Sequence, residues 1–341
     1  MSQTFTRRRF VAFALVSVVL SLGVSLAAVL AVDVYVHSKF DKTGVNIWGY
    51  RGPTAGRKRP GEIRVVVAGG STVLGYGLPP EAAFPHQLEL ALNGPGTPGG
   101  SRFRVVNLGF SNEGAHTFQY TLADYAYLKY DLTVLYEGYN DLGGANVSER
   151  RRDAALFRWF GYFPMLPIVA TEKMRTLRTG DIRASYRGEK TTFRPNAGAR
   201  TEAALLQASV ALYDSIEAQA ARWRPETSPV VPDDDGCSEY WRFYCHSVHL
   251  GIDAALARQS RVIVVTQPYL AQSHRAQQEE LRAMLVRRYG STALVKYLNL
   301  GDALSVRDPV MCWDGMHLTE RGNELIGRAL APAVLELSGG M

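Results

Sequence analysis

Cysteine is scarce in this chain: its 341 residues include three, which cannot all pair within one molecule. No Cys-x-x-Cys and no His-Glu-x-x-His pattern occurs, so no metal site is legible and no cofactor is expected. A dinucleotide fingerprint and a P-loop lysine are also missing, which excludes the usual phosphate-cradling loops. No stretch interleaves Lys and Arg with aromatics densely enough for a nucleic-acid groove, so no nucleic-acid partner is expected. The formal charge is +6, but Arg7, Arg8 and Arg9 supply half of it and leave a mildly basic body. The short basic runs at Arg57–Arg59 and Arg150–Arg152 are expected on solvated loops. No internal repeat is visible. What is present is ordinary globular composition, 46% hydrophobic and 21% charged, in a chain long enough for one large domain or two small ones.

Charge is also absent from Phe10 to Val32, 23 residues that would cross a bilayer as a helix. The three arginines before this run hold that end in the cytoplasm by the positive-inside rule, which puts everything after about Asp33 on the far side. Thr6-Arg7-Arg8-Arg9-Phe10 resembles a twin-arginine export signal, and the small residues around Ala31 offer a cleavage site. The run exceeds the roughly 7–15 residues of a signal-peptide core. A retained single-pass anchor in the cytoplasmic membrane, with a periplasmic body, is therefore expected; secretion after cleavage near Ala31 is the alternative. Cys237 and Cys245, in a segment that reads as irregular, could be joined in such a compartment, leaving Cys312 as a small buried residue.

The expected organisation is a basic tail over 1–9, the anchor over 10–32, a Gly/Pro-rich linker over 33–61 and one domain over 62–337. Short apolar runs recur at Ile63–Ala68, Phe103–Leu108, Leu132–Tyr136, Val262–Thr266 and Leu294–Asn299. Segments of helical spacing lie between them, at Glu81–Leu92, Ala203–Ala221, Gln277–Arg288 and Glu320–Leu335. Strands apolar on both faces, alternating with helices, indicate a parallel sheet covered on both sides. Two insertions, 142–200 and 224–246, interrupt the alternation as surface additions or a cap over a site.

In an open parallel sheet, ligands bind beyond the carboxyl ends of the strands. Four such places carry unusual residues. The first strand ends in Gly69-Gly70-Ser71-Thr72 and the second in "VVNLGFSNEG", with Gly109 just past the apolar run. The third ends in "VLYEGYNDL", which contains Gly138, Asn140 and Asp141. Near the C-terminus, "CWDGMHLTERGNELIG" presents Asp314 and His317 ahead of a helix. Taken singly, each has an ordinary explanation as a tight turn or a cap. Of the other histidines, His86 reads as structural or solvent-exposed within a helix, His116 as a helix-start residue with pocket lining as the alternative, and His246, His249 and His274 lack a recognisable carboxylate spacing. Asp141 reads as an anchor for its own loop, and Gln267 as a residue that shapes the pocket.

Together the four blocks resemble the SGNH (GDSL-type) hydrolase family, whose named residues occur in the order Ser71, Gly109, Asn140, His317, with Asp314 in the family's Asp-x-x-His position. The resemblance runs from about Ile63 to Leu335. One departure is Gly70, where the namesake motif has Asp. The resemblance implies an α/β fold, a three-layer flavodoxin-like domain with a central parallel sheet, here preceded by the transmembrane helix. It implies Ser71 as nucleophile, His317 as base and Asp314 as the carboxylate that fixes the imidazole. The implied oxyanion donors are the backbone N–H of Ser71 and Gly109 and the side chain of Asn140, with glycine at 109 admitting the substrate. The Gly-x-Ser-x-Gly elbow of α/β-hydrolases is not met, because Val73 stands at its second glycine. The expected activity is a serine esterase acting on an acyl ester of a glycan or lipid. The alternatives are an O-acyltransferase modifying a cell-surface polysaccharide on the same scaffold, and a non-catalytic glycan-binding protein.

Overall fold

The computed structural model describes residues 7–39, 44–94, 102–170 and 235–339, with isolated helical positions between 197 and 219. Of the two insertions, 171–196 and 220–234 lie outside the described residues, as does most of the Ala203–Ala221 segment. Contacts divide the chain into two units, Met1–Phe40 with Pro164–Arg224, and Asp41–Phe163 with Pro225–Met341.

In the first unit, helix α1 (Arg7–Lys39) continues past the uncharged run. Its span Arg9–His37 is long and apolar enough to cross a membrane, and Phe13, Val19 and Leu26 are exposed on it. The expected linker does not begin at residue 33. Asp33 is a buried helical residue whose Oδ1 accepts from the backbone N–H of Met165 (2.8 Å) and Leu166 (2.7 Å), satisfying donors at the start of the helix over 166–170.

The second unit is built on five parallel strands, β1 (Glu62–Gly69), β2 (Arg102–Asn107), β3 (Leu132–Tyr136), β4 (Arg261–Thr266) and β5 (Val295–Asn299). Their order is β2-β1-β3-β4-β5, the flavodoxin-like arrangement. Val65, Val66 and Val67 are all fully buried, because helices cover both faces. On one side α3 (Phe84–Leu92) and α8 (Glu320–Ser338) pack together, and Leu88, Ile326 and Leu330 meet Val65, Val67, Val134 and Ile263 in one core. The start of α3 is tied to α8 by Asn323, whose Oδ1 accepts from Phe84 N at 2.9 Å. On the other side α4 (Phe118–Asp124) packs on β1, and α6 (Arg242–Leu256) on β3 and β4, with α7 (Gln272–Tyr289) against β5. The remaining labelled helices are short: α2 (Ser71–Leu74) follows β1 directly, and α5 (Ala155–Phe160) precedes Gly161.

Three expectations are revised. The part of the linker from 44 to 61 is bound to the sheet unit: Tyr50 and Arg51 are buried, and Arg51 N donates to Asn107 O at 3.0 Å. The segment around Cys245 is helical rather than irregular. Helix α6 starts at Arg242 and buries Tyr244, Cys245, Val248 and Ile252, but also His246, Ser247 and His249, and these polar residues blur the apolar period. Arg151 is buried instead of solvated. Its guanidinium donates to Leu108 O (2.7 Å) and lies over the rings of Phe110 and Tyr125. Cys237 and Cys245 are bridged, and Cys312 is a free, buried thiol whose pKa burial raises to about 11.

Candidate active site

The strand order places a topological switch point between β1 and β3, whose following chains run to opposite sides of the sheet and leave a crevice at their carboxyl ends. Ser71 follows β1 as the first residue of α2, and Asn140 lies in the 3₁₀ turn Tyr139–Asp141 after β3. Small residues suit this turn. A Cβ on Gly69 would overlap Tyr136 O, and one on Gly70 would overlap Asn140 Nδ2 and the Glu137 carboxylate. The serine therefore follows two positions where the chain admits no side chain.

His317 reaches this hydroxyl from the loop before α8. Its Nε2 stands 2.9 Å from Ser71 Oγ, and its Nδ1 stands 2.6 Å from Asp314 Oδ2. A neutral ring with its proton on Nδ1 donates to the carboxylate and accepts from the serine, so one tautomer satisfies both contacts. Asp314 is itself held by its loop. Its Oδ1 accepts from the backbone N–H of His317 (2.7 Å) and of Met316 (3.0 Å). Partial burial acts to raise the Asp314 carboxyl, but the bonds from the His317 side chain and the two backbone N–H groups outweigh it and leave the pKa below its ordinary value. Thr319 caps α8 by accepting from Gly322 N at 3.2 Å, which fixes where the loop enters the helix. Trp313 stacks on the His317 ring at 5.4 Å and stays about half exposed at 48%, with Tyr76 on the same imidazole at 4.9 Å.

Two groups beside Ser71 supply hydrogen-bond donors. As the first helical residue, Ser71 has a backbone N–H without an intrahelical acceptor. Asn140 Nδ2 donates to Glu113 O at 2.9 Å and to Glu137 Oε2 at 3.5 Å, so both of its hydrogens have acceptors in the protein. Gly109 differs from expectation in one respect. Its N–H donates to Asn107 Oδ1 at 2.9 Å, and its missing side chain makes room for the α2 backbone, since a Cβ there would overlap Leu74 N and Val73. Glycine is required at 109 by the close approach of α2, whatever approaches from the crevice.

Glu137 was not singled out by the motif. It is buried, its Oε1 accepts from Gly138 N (2.9 Å) and Asn140 N (3.2 Å), and its Oε2 lies 3.5 Å from Asn140 Nδ2. Its carboxylate, just past β3, occupies the space where a side chain at Gly70 would lie. The only signal in the sequence was an acidic residue directly after a fully apolar strand. Burial raises the Glu137 pKa from 4.5 to about 7, and the neighbouring buried Asp141, also raised by burial, faces it. Between these values the folded protein holds a proton that the unfolded chain has released. The associated stability is complete below about pH 4.5 and is lost as the pH rises through about 7. Thermal melts of Glu137→Gln are expected to gain on the wild type across that interval; parallel melting curves would overturn the assignment.

The other residues fall into supporting places. Gln267 is buried, accepting from Tyr139 N (3.0 Å) and donating to Thr72 Oγ1 (2.8 Å), so the end of β4 braces both the Asn140 turn and α2. Asp141 Oδ2 accepts from Ala115 N at 3.0 Å and joins its turn to the one before α4. His116, in that turn, lies 3.4 Å from Glu149. His86 is on α3, and His274 is buried on α7 with its pKa lowered by burial to about 4. His246 and His249 do have carboxylate neighbours, Asp235 for both and Asp253 for His249.

No family model matches the sequence, and no curated protein matches it. Among solved structures, the chain is similar to an alpha/beta hydrolase enzyme from the metagenome of Lake Arreo, Spain, at 14% identity over 81% of this chain and 95% of that one, with a TM-score of 0.43. It is similar to a member of the lipolytic protein G-D-S-L family from Veillonella parvula DSM 2008 at 11% identity over 82% and 100%, with a TM-score of 0.40. It is also similar to a catalytic mutant of an acetylxylan esterase from Geobacillus stearothermophilus at 11% identity over 81% and 94%, with a TM-score of 0.42.

Proposed function

We propose that the protein is a membrane-anchored, extracytoplasmic serine esterase that removes small acyl groups from a glycan or lipid ester. The observation that carries this is the continuous contact Asp314–His317–Ser71, made by residues 246 positions apart at its serine–imidazole step. Ser71 Oγ attacks the ester carbonyl as its proton passes to His317 Nε2, while Asp314 holds the Nδ1 proton and stabilises the imidazolium. The tetrahedral oxygen is received by Ser71 N–H, with Asn140 Nδ2, which it shares with Glu113 O and Glu137 Oε2, and Gly109 N–H, which it shares with Asn107, as further donors. Collapse expels the alcohol, which takes the imidazolium proton. A water then repeats the sequence to free the acid and restore the serine.

Asn140→Ala tests the oxyanion assignment. It removes the amide, and loss of one such donor costs on the order of 10²–10³ in kcat with little effect on KM. An unchanged kcat would remove Asn140 from the mechanism.

The arginines at the start of α1 and the disulfide both suit a body outside the cytoplasm. The exposed indole of Trp313 beside His317 offers a flat apolar face with a polar edge, which fits a sugar ring and favours the glycan ester. Full-length protein in detergent is expected to cleave p-nitrophenyl acetate faster than the octanoate, to deacetylate acetylated oligosaccharides, and to be labelled at Ser71 by a fluorophosphonate. Transfer of the acyl group to added oligosaccharide in excess of hydrolysis would make it an acyltransferase. Absence of both turnover and labelling would end the serine-enzyme reading.

A further inference from the structure

Away from Ser71, three buried side chains converge near the start of α6. Asp235, His246 and His249 have side-chain exposures of 0%, 7% and 6%. Asp235 Oδ2 lies 3.4 Å from His246 Nδ1 and 3.2 Å from His249 Nδ1, and the potential ligand atoms of all three lie within 4.8 Å of one another. Both rings thus present Nδ1 to this carboxylate, that of His249 lying 3.1 Å from Oδ1 as well. The buried His246 Nδ1 makes no hydrogen bond there, although a buried ring nitrogen is normally satisfied.

We propose that Asp235 Oδ2, His246 Nδ1 and His249 Nδ1 bind a divalent transition-metal ion, zinc first among them. A tetrahedral ion with bonds of ~2.0–2.1 Å separates its ligand atoms by roughly 3.3–3.4 Å, close to the two separations between carboxylate and imidazoles. Two imidazoles with one carboxylate suit zinc better than calcium or magnesium, which take oxygen ligands. The outer contacts are those of a ligand set. His249 Nε2 lies 2.9 Å from Asp253 Oδ2, and Tyr289 OH donates to Asp253 Oδ1 at 2.7 Å, so the ring is held from behind with Nδ1 turned inward. Arg288 bonds to the other oxygen of Asp235, leaving Oδ2 for the ion, and Arg287 Nη2 donates to Asp235 O at 2.9 Å.

Without a metal, His249 has carboxylates at both nitrogens, and a neutral ring carries only one proton for the two. Binding resolves this: the ion takes Nδ1, any proton there leaves to solvent, and the Nε2 proton stays on the Asp253 side. Helical spacing brings residues 246 and 249 to one face, and the Cys237–Cys245 bridge ties the segment that carries Asp235 to the same helix. The competing account is a metal-free ion cluster in which Arg288 and the two imidazoles balance Asp235.

Full-length protein equilibrated with zinc and then gel-filtered is expected to retain one ion per chain by elemental analysis. With cobalt(II) it should show the visible absorption of a tetrahedral site. His246→Gln should abolish both signals. Asp253→Asn, at a carboxylate about half exposed, keeps all three ligands and should weaken zinc binding 10- to 100-fold. Ester turnover at Ser71 should be unchanged in either variant, so loss of the metal and loss of the esterase are read separately. Folded wild-type protein that retains no zinc, or an ion held equally well by wild type and Asp253→Asn, overturns the proposal.

Discussion

Ser71→Ala is expected to lower kcat on p-nitrophenyl acetate by on the order of 10⁶-fold, while the far-ultraviolet circular dichroism and the melting temperature stay near those of the wild type. The size follows from what is removed. Without the hydroxyl no acyl-enzyme forms, and the imidazole can at best assist water from a position set for a different nucleophile. The oxyanion donors remain, so a residual rate of about 10³–10⁴ over water is expected from binding and charge stabilisation alone. The fold should tolerate the change, because Ser71 is half-buried and makes its side-chain bond to His317, outside the core. Labelling by a fluorophosphonate should vanish in parallel. A variant that keeps turnover within a few fold of wild type would show that another group performs the attack.

Asp314→Asn is expected to cost about 10⁴ in kcat, through a different route. The asparagine carbonyl can still accept from the backbone N–H of Met316 and His317, so the loop should keep its shape. Its NH₂ then faces His317 Nδ1, which must accept instead of donate. The imidazole proton moves to Nε2, the nitrogen that has to take the Ser71 proton, and the base is blocked without being displaced. Stopped turnover with intact structure separates this from a local collapse of the loop. A loss under tenfold would mean that Asp314 serves mainly as the loop's turn residue.

The five strands were legible to within a residue or so because helices cover both faces, which leaves Val65–Val67 and Leu132–Tyr136 as unbroken apolar runs. The blocks that carry Ser71, Asn140 and His317 stood out because each lies near a strand end or a helix start, where a short motif carries its own context, and the structure brings Ser71 and His317 to 2.9 Å. Helix α6 was hidden because it buries His246, Ser247 and His249 on its inner side, and a periodicity test counts these as surface. Glu137 was hidden for a related reason. Its carboxylate is tied down by backbone N–H groups of its own turn and by burial between two strand ends, neither of which leaves a pattern in a single sequence. Arg151 looked like part of a solvated basic run, and only the placement of Leu108 O and two aromatic rings accounts for its burial. Glycine at 109 was legible as necessary, but its neighbour was misjudged: the close approach comes from α2.

The hydroxyl and its imidazole lie 246 residues apart in the chain and meet at the carboxyl ends of the strands, the imidazole carried by the loop before α8, which packs on α3. A ribosome releases the serine 246 residues before the histidine. During synthesis, and during any export threaded from the N-terminus, the chain therefore carries an unactivated alcohol. Its contact with an imidazole forms only when the loop before α8 folds back onto the end of the first strand.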